Sequence, residues 1–229
     1  MEDKKEKLPS TNINWDIRIF RKASSNHWKY WIFAVEIFTY LNKRGKIMQY
    51  ENIIIRKANQ SDIEQIAAIK IKGWKTTYED MIDKEILDNM DIKKEIENYT
   101  NRYSLDNVFV ADNNGEILGF CRVYDYDDSP YEDKEIDCEI REIYVRPEIK
   151  RMGIGSKIFN YVFQYFKQKN KNKLYLGVFE DNYKSRNFYE KMGGILGKKD
   201  NLEIKGKYYS TVSYTYNLRG VDPNERKQN

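Results

Sequence analysis

Histidine is almost missing from this chain: of 229 residues only His27 is one. It lies far in sequence from every glycine-rich or acidic stretch, which argues against zinc sites of the usual His/Cys type and against a Ser-His-Asp triad. Proton transfer therefore falls to Glu, Asp, Tyr, Lys or water. Cysteine is nearly as scarce. Cys121 and Cys138 are the only two, and with no signal peptide ahead of them they read as reduced thiols in a cytoplasm. There is no Gly-Lys-Ser/Thr run of a P-loop, and the three-glycine dinucleotide fingerprint is incomplete. The aromatic-rich run from Trp28 to Leu41 is too short and too interrupted by charge to span a membrane. Neither sign of charge dominates: 33% of residues are charged, yet the net charge is only +4, which does not describe a strongly basic nucleic-acid binder.

The length suits one domain plus an extension, with enough chain for a proper core. Residues 1 to 47 form the extension. Met1 to Lys7 reads as a charged, disordered lead, and Trp28 to Leu41 as an amphipathic helix for the domain, a partner or a membrane surface, or as part of a segment upstream of a natural start at Met48. The domain is expected over 48 to 217, with a disordered tail from 218 to 229.

Within the domain, strands are expected at Asn52 to Lys57, Asn107 to Asp112, Glu116 to Tyr124, Ile136 to Val145, Leu174 to Phe179, Gly194 to Ile204 and Lys207 to Asn217. Helices are expected from a cap at Ser61 or Asp62 to Gly73, from Lys84 to Tyr99, from Gly153 to about Lys169, and from Asn182 to Met192. Asn113-Asn114-Gly115 between two apolar runs signals a hairpin. The order is that of a mixed α/β (α+β) fold.

The chain centres on Val145 to Lys157. Pro147 ends the preceding strand, and Ile158, Phe159, Val162, Tyr165 and Phe166 recur at helical spacing beyond it. Lys150, Arg151 and Lys157 crowd the start of that helix, where the unpaired N–H groups already carry about half a positive charge. An anion resolves the conflict: Gly153 and Gly155 let a phosphate approach the amides of Arg151 to Ser156, Met152 and Ile154 included, while Lys150 and Arg151 add charge.

These residues resemble a known family. Lys150-x-x-Gly153-x-Gly155 after Ile143-Tyr144-Val145-x-Pro147, followed by Leu176-Gly177-Val178-Phe179-Glu180-Asp181-Asn182 and Ser185 to Gly193, is similar to the GNAT N-acetyltransferase superfamily over roughly Met48 to Asn217. Lys150 stands where the family usually has Gln or Arg. The branch most similar is the spermidine/spermine acetyltransferase-like one. The resemblance implies the acyl-CoA N-acyltransferase fold, a mixed, mostly antiparallel central sheet flanked by helices, with acetyl-CoA as cosubstrate and no metal. It also implies that the pantetheine arm pairs with the backbone of Ile143, Tyr144 and Val145, where an amide polarises the thioester carbonyl.

Asn182, Ser185 and Tyr189 share one helix face. The family matches Asn182 to a cofactor contact and Tyr189 to the acid that returns a proton to the thiolate. For the base there are Glu139 and Glu142. Strand alternation puts them on opposite faces; the family pattern selects Glu139, and a bulge would exchange their directions. Trp74 and Tyr78 read as acceptor-pocket residues or as core. Gly177 stands where acetylators of peptide N-termini often carry a glutamate. The acidic stretch Asp125 to Asp137 reads as a steering surface for a basic amine or as a solvated loop.

The expectation is acetyl transfer to a small primary amine such as spermidine or spermine in a ternary complex. A protein N-terminal or lysine acetyltransferase is the enzymatic alternative, and a non-catalytic CoA-binding sensor the alternative of another class. No nucleic acid or membrane span is expected, and a homodimer stays open.

Overall fold

The computed structural model of the protein describes Tyr50 and residues 52 to 219. The expectations for residues 1 to 47 and for most of the tail lie outside the described residues. The elements are β1 (Ile54–Lys57), α1 (Ile63–Thr77), α2 (Lys84–Asp88), α3 (Ile92–Asn101), β2 (Val108–Asn113), β3 (Glu116–Asp125), β4 (Ile136–Val145), α4 (Ile154–Gln168), β5 (Lys173–Phe179), α5 (Tyr183–Lys191), β6 (Ile195–Ile204) and β7 (Lys207–Asn217). The strands form one sheet in the order β1-β2-β3-β4-β5-β7-β6. Every pairing is antiparallel except β4 with β5. This is the mixed, mostly antiparallel sheet with flanking helices that the sequence led us to expect.

Each face of the sheet has its own apolar layer. Ile154, Ile158, Phe159, Val162 and Phe166 of α4 are fully buried against β-strand residues such as Phe109, Leu118, Cys121 and Leu174. Side chains of this size contribute about 1.5–3 kcal/mol each on burial. On the opposite face Ile63, Ile66 and Ile69 of α1 and Tyr99 of α3 close over Val108, Val110, Ile117 and Phe120. A third group, with Ile82, Ile86, Leu87 and Phe179 at its centre, ties α2 to β5 and takes in Trp74 and Tyr78.

Three local expectations change. The single helix from Lys84 to Tyr99 is two, because Asp91 accepts a hydrogen bond from the Lys93 N–H at 2.8 Å and starts a new helix instead of continuing the old one. Ahead of α1, neither Ser61 nor Asp62 caps by itself. Asn59 Oδ1 accepts from the Ser61 N–H while Asp62 Oδ2 accepts from the Asn59 N–H, a reciprocal pair around a 3-10 turn. Leu218 is not tail: it is buried in the α4-side layer, and its N–H donates to the Asn172 carbonyl. The hairpin at Asn114 and Gly115 has both residues at positive φ, as an Asn-Gly turn requires.

Candidate active site

The site begins where the sheet opens. β4 runs beside β3 from Cys138 to Val145, and β5 beside β7 for its whole length. Yet β4 and β5 pair only from Ile136 to Glu139 against Lys173 to Tyr175. Beyond that point they diverge and leave a cleft of about 1420 Å³. The Arg146 N–H donates to the Leu118 carbonyl on β3. Strand alternation therefore turns the N–H and C=O groups of Ile143 and Val145 away from β3 and toward the cleft. They are strand-edge groups without a strand, which suits an extended amide-bearing chain laid beside them.

At one end of the cleft lies the basic loop. Gly153 caps α4 in the left-handed conformation, φ 82°, with nothing within 4 Å of where a Cβ would be. Arg151 also has positive φ, 67°. Lys150, Arg151, Gly153, Ile154, Gly155 and Ser156 all line the cleft; the Met152 side chain turns away and packs against the α4-side core. Lys150 Nζ donates to Thr77 Oγ1 at 3.0 Å. The surrounding protein and the nearby Lys184 ammonium both lower its pKa. Lys184, on the first turn of α5, also lines the cleft. Among the described residues neither lysine has an ion-pair partner. Two cations held beside the exposed amides of a helix start suit a diphosphate. Lys184 carries no glycine signal and escaped the sequence reading; its only mark is its place two residues after Asn182.

Across the cleft, Asn182 Oδ1 is committed to capping α5 through the Ser185 N–H at 3.1 Å, so only its NH2 group is left for a ligand. Tyr189 is buried, and among the described residues its hydroxyl takes no hydrogen bond from or to another side chain. Burial raises its pKa, with the Tyr78 and Tyr216 hydroxyls adding to the shift. The phenol therefore stays protonated. Tyr78, the C-cap residue of α1, and Tyr144 from β4 bring their hydroxyls 3.5 Å apart on the same cleft. Trp74 stacks edge-on against Tyr78 with centroids 5.1 Å apart, and Tyr78 against Phe179 at 5.0 Å. Both aromatic residues are thus packing residues and cleft walls at once.

The two glutamates do not lie on opposite faces. Arg122 faces Glu142 and Val123 faces Ile140, so β4 carries one extra residue, Arg141, in a bulge. The insertion brings Glu139, opposite Tyr124, and Glu142, opposite Arg122, to the same side. Their surroundings differ. Glu139 is buried and accepts from Tyr126 and Tyr131 at 2.6 and 2.7 Å and from Arg141 at 3.2 Å. Glu142 accepts from Lys70 at 3.0 Å, Arg122 at 2.5 Å and Tyr99 at 2.8 Å. Burial opposes its charge, but Lys70 and Arg122 together hold its pKa below the ordinary carboxylate value.

The acidic stretch lies off the cleft, and lysines neutralise much of it: Lys169 and Lys171 pair with Asp125, Lys173 with Asp133 and Glu135, and Lys198 with Glu132. The exposed carboxylates that do line the cleft are Glu79 and Asp80 after α1, Asp200 on β6, and Asp181 just ahead of α5, none of them ion-paired among the described residues. Gly177, on the cleft floor, leaves an added Cβ nothing closer than the Tyr175 hydroxyl at 3.7 Å.

Comparisons with known proteins bear on the family and the fold. The family model described as "Acetyltransferase (GNAT) family" matches residues 74–194, more than half of the chain. An uncharacterized N-acetyltransferase of Bacillus subtilis, YuaI, is 29% identical over 155 residues, covering 67% of this chain and 87% of that protein. Among solved structures, YncA from Salmonella typhimurium, solved with its cofactor acetyl-CoA, superposes with a TM-score of 0.56 at 18% identity, covering 75% of this chain and 97% of the other. The PaiA N-acetyltransferase of Thermoplasma acidophilum, in complex with coenzyme A, gives 0.53 at 19% identity over 72% and 99%. At these identities the two likenesses speak for the fold. No helix among the described residues is long and apolar enough to cross a membrane. The chain belongs to the acetyltransferase (GNAT) family, and it is an N-acetyltransferase with acetyl-CoA as its cosubstrate.

Proposed function

We propose that the acceptor is a small cationic primary amine, a polyamine of the spermidine or spermine kind, and that it attacks the thioester directly while both substrates are bound. The carrying observation is the trio Glu79, Asp80 and Asp200, carboxylates without ion-pair partners among the described residues, set around Trp74, Tyr78 and Tyr175 on the cleft wall. Such a wall draws in ammonium groups and receives an alkyl chain between aromatic faces. The stretch Asp125 to Asp137 lies off the cleft and has four of its carboxylates paired with lysines, so it is the lesser contributor to steering.

In this reading the amides of Arg151 to Ser156, with Lys150 and Lys184, hold the diphosphate. The edge amides of Ile143 and Val145 orient the pantetheine arm, and one of them donates to the carbonyl oxygen as negative charge develops there; a single preorganised donor of this sort is worth about 3 kcal/mol. Glu139 takes the ammonium proton, relayed by water or by the Tyr131 hydroxyl that already donates to it. As the C–S bond breaks, Tyr189 gives its phenolic proton to the thiolate. Glu142 is too fully engaged with cations to serve as the base. A peptide N-terminus as acceptor is the weaker reading, since Gly177 supplies no carboxylate on the cleft floor.

The test is thiol release from acetyl-CoA against polyamines, amino acids, aminoglycosides and peptides, at about 50 and about 300 mM salt. We expect polyamines to give the highest kcat/KM, falling with salt, and the triple variant Glu79→Gln/Asp80→Asn/Asp200→Asn to lose that salt dependence. A peptide preferred over every polyamine, or an unchanged salt slope in the variant, contradicts the proposal. Tight acetyl-CoA binding without thiol release from any acceptor would make the chain a sensor instead.

A further inference from the structure

Beneath the acceptor end of the cleft lies a charged cluster that none of the roles above uses. Lys70 of α1, 7% exposed, donates to Glu95 of α3 at 2.6 Å and to Glu142 of β4 at 3.0 Å. Arg122 of β3, 5% exposed, donates to Glu142 at 2.5 Å, and its guanidinium lies 4.1 Å from the Tyr103 ring centroid. Tyr99 of α3 gives its hydroxyl to Glu142 at 2.8 Å, and the Lys70 ammonium sits over the Tyr99 and Tyr103 rings. Two cations and two carboxylates balance, and Glu142 is the one member that touches three of the four elements.

Such a cluster is poor evidence for stability, because desolvating four charges offsets most of what their attraction gives. Its placement says more. Trp74 follows Lys70 by one helical turn on the same face of α1, and Tyr78, the C-cap residue one turn further, continues that face with its N–H still donating to the Trp74 carbonyl. Between them, Gly73 crosses Tyr144 so closely that a Cβ would stand 2.9 Å from its ring. Glu142 immediately precedes the Ile143 to Val145 backbone that faces the cleft. The clamp and the close crossing thus fasten the aromatic end of α1 to the strand segment expected to orient the thioester.

We propose that Lys70 and Glu142 are a positioning pair: their contact sets the depth of Trp74 and Tyr78 against β4, and through it the alignment of the amine with the reacting carbonyl. This rests on the acceptor site proposed above.

The test measures the two parts separately. Hydrogen exchange over residues 71 to 78 needs no substrate, and steady-state kinetics uses the best amine of the panel. Lys70→Met and Glu142→Gln should each speed exchange over that segment, raise the amine KM about tenfold and leave the acetyl-CoA KM within about twofold. The pH–rate profile should keep its limbs, and Lys70→Arg should recover most of the loss. Should a single variant fail to fold, Lys70→Gln/Glu142→Gln, which keeps the cluster neutral, should show the same faster exchange and the same KM split. Unchanged exchange over 71 to 78 overturns the inference whatever the acceptor proves to be. So does a Glu142→Gln enzyme that loses a limb of its pH–rate profile with the amine KM intact, since that is the behaviour of a base. If no amine is turned over, the acceptor reading fails, and exchange alone decides the clamp.

Discussion

Glu139 and Tyr175 are the last residues that hold β4 against β5. At this pair the sheet stops being continuous, and every group assigned a chemical part here lies on one side or the other of the gap it leaves. The carboxylate at the branch point is also the one we assign as base, so its surroundings control both the opening of the cleft and the fate of the amine proton.

Replacing Glu139 by Gln tests that assignment. The variant keeps the shape and can still accept from Tyr126 and Tyr131, but it cannot take up a proton. We expect kcat/KM for the amine to drop by about 10²–10⁴ near neutral pH, and to recover partly at high pH, where more of the amine is already neutral. A loss that does not lessen as pH rises would point to damaged packing around Tyr131 instead.

Tyr189 makes the complementary prediction. Because burial raises its pKa above the ordinary 10, the phenol should not titrate in the working range, and the wild-type rate should show no alkaline decline from this group below about pH 10. Tyr189→Phe should lower kcat by about 10²–10⁴ with acetyl-CoA binding within twofold. Turnover equal to wild type would remove Tyr189 from the acid role.

The cluster around Glu142 predicts a pH dependence of stability. Its folded pKa lies below the ordinary 4.5, so its contribution is present above that value and is lost as pH falls through the lower folded value. Lys70 is the mirror case: Glu142 and Glu95 overcome burial and raise its pKa above 10.5, so its contribution holds below that value and fades as pH rises through the folded one. Removing one partner of such a buried pair costs about 3–5 kcal/mol. Thermal unfolding of Glu142→Gln should show that loss near pH 7 and a smaller one near pH 3. An equal loss at both would mean that the carboxylate charge carries none of it.

Much of this was legible in the sequence. Apolar periodicity located the strands and α4, and two glycines among cations marked the proposed anion site, because backbone conformation and local charge leave their mark on neighbouring residues. The Asp91 break could also have been read, as a cap residue inside an otherwise helical stretch. The bulge at Arg141 could not: nothing in Glu139-Ile140-Arg141-Glu142 distinguishes a regular strand from one carrying an extra residue, and the difference decides which carboxylates share a face. Nor could the Lys70 cluster, whose partners lie 25 and 72 residues away in the chain. A buried lysine looks like a surface lysine until its partners are placed. The Asp125 to Asp137 stretch left two readings open for the same reason, since its neutralising lysines come from the α4–β5 connection, β5 and β6.

The central claim is that the opening between β4 and β5 receives coenzyme A with its diphosphate between Lys150 and Lys184 at the head of α4. Calorimetric titration of coenzyme A into the wild type and into Lys150→Ala/Lys184→Ala tests it most directly. The account predicts saturable one-to-one binding that weakens at least about tenfold in the double variant, roughly 1.4 kcal/mol, and does so less at high salt. A wild type that does not bind, or a double variant that binds equally well, would contradict it.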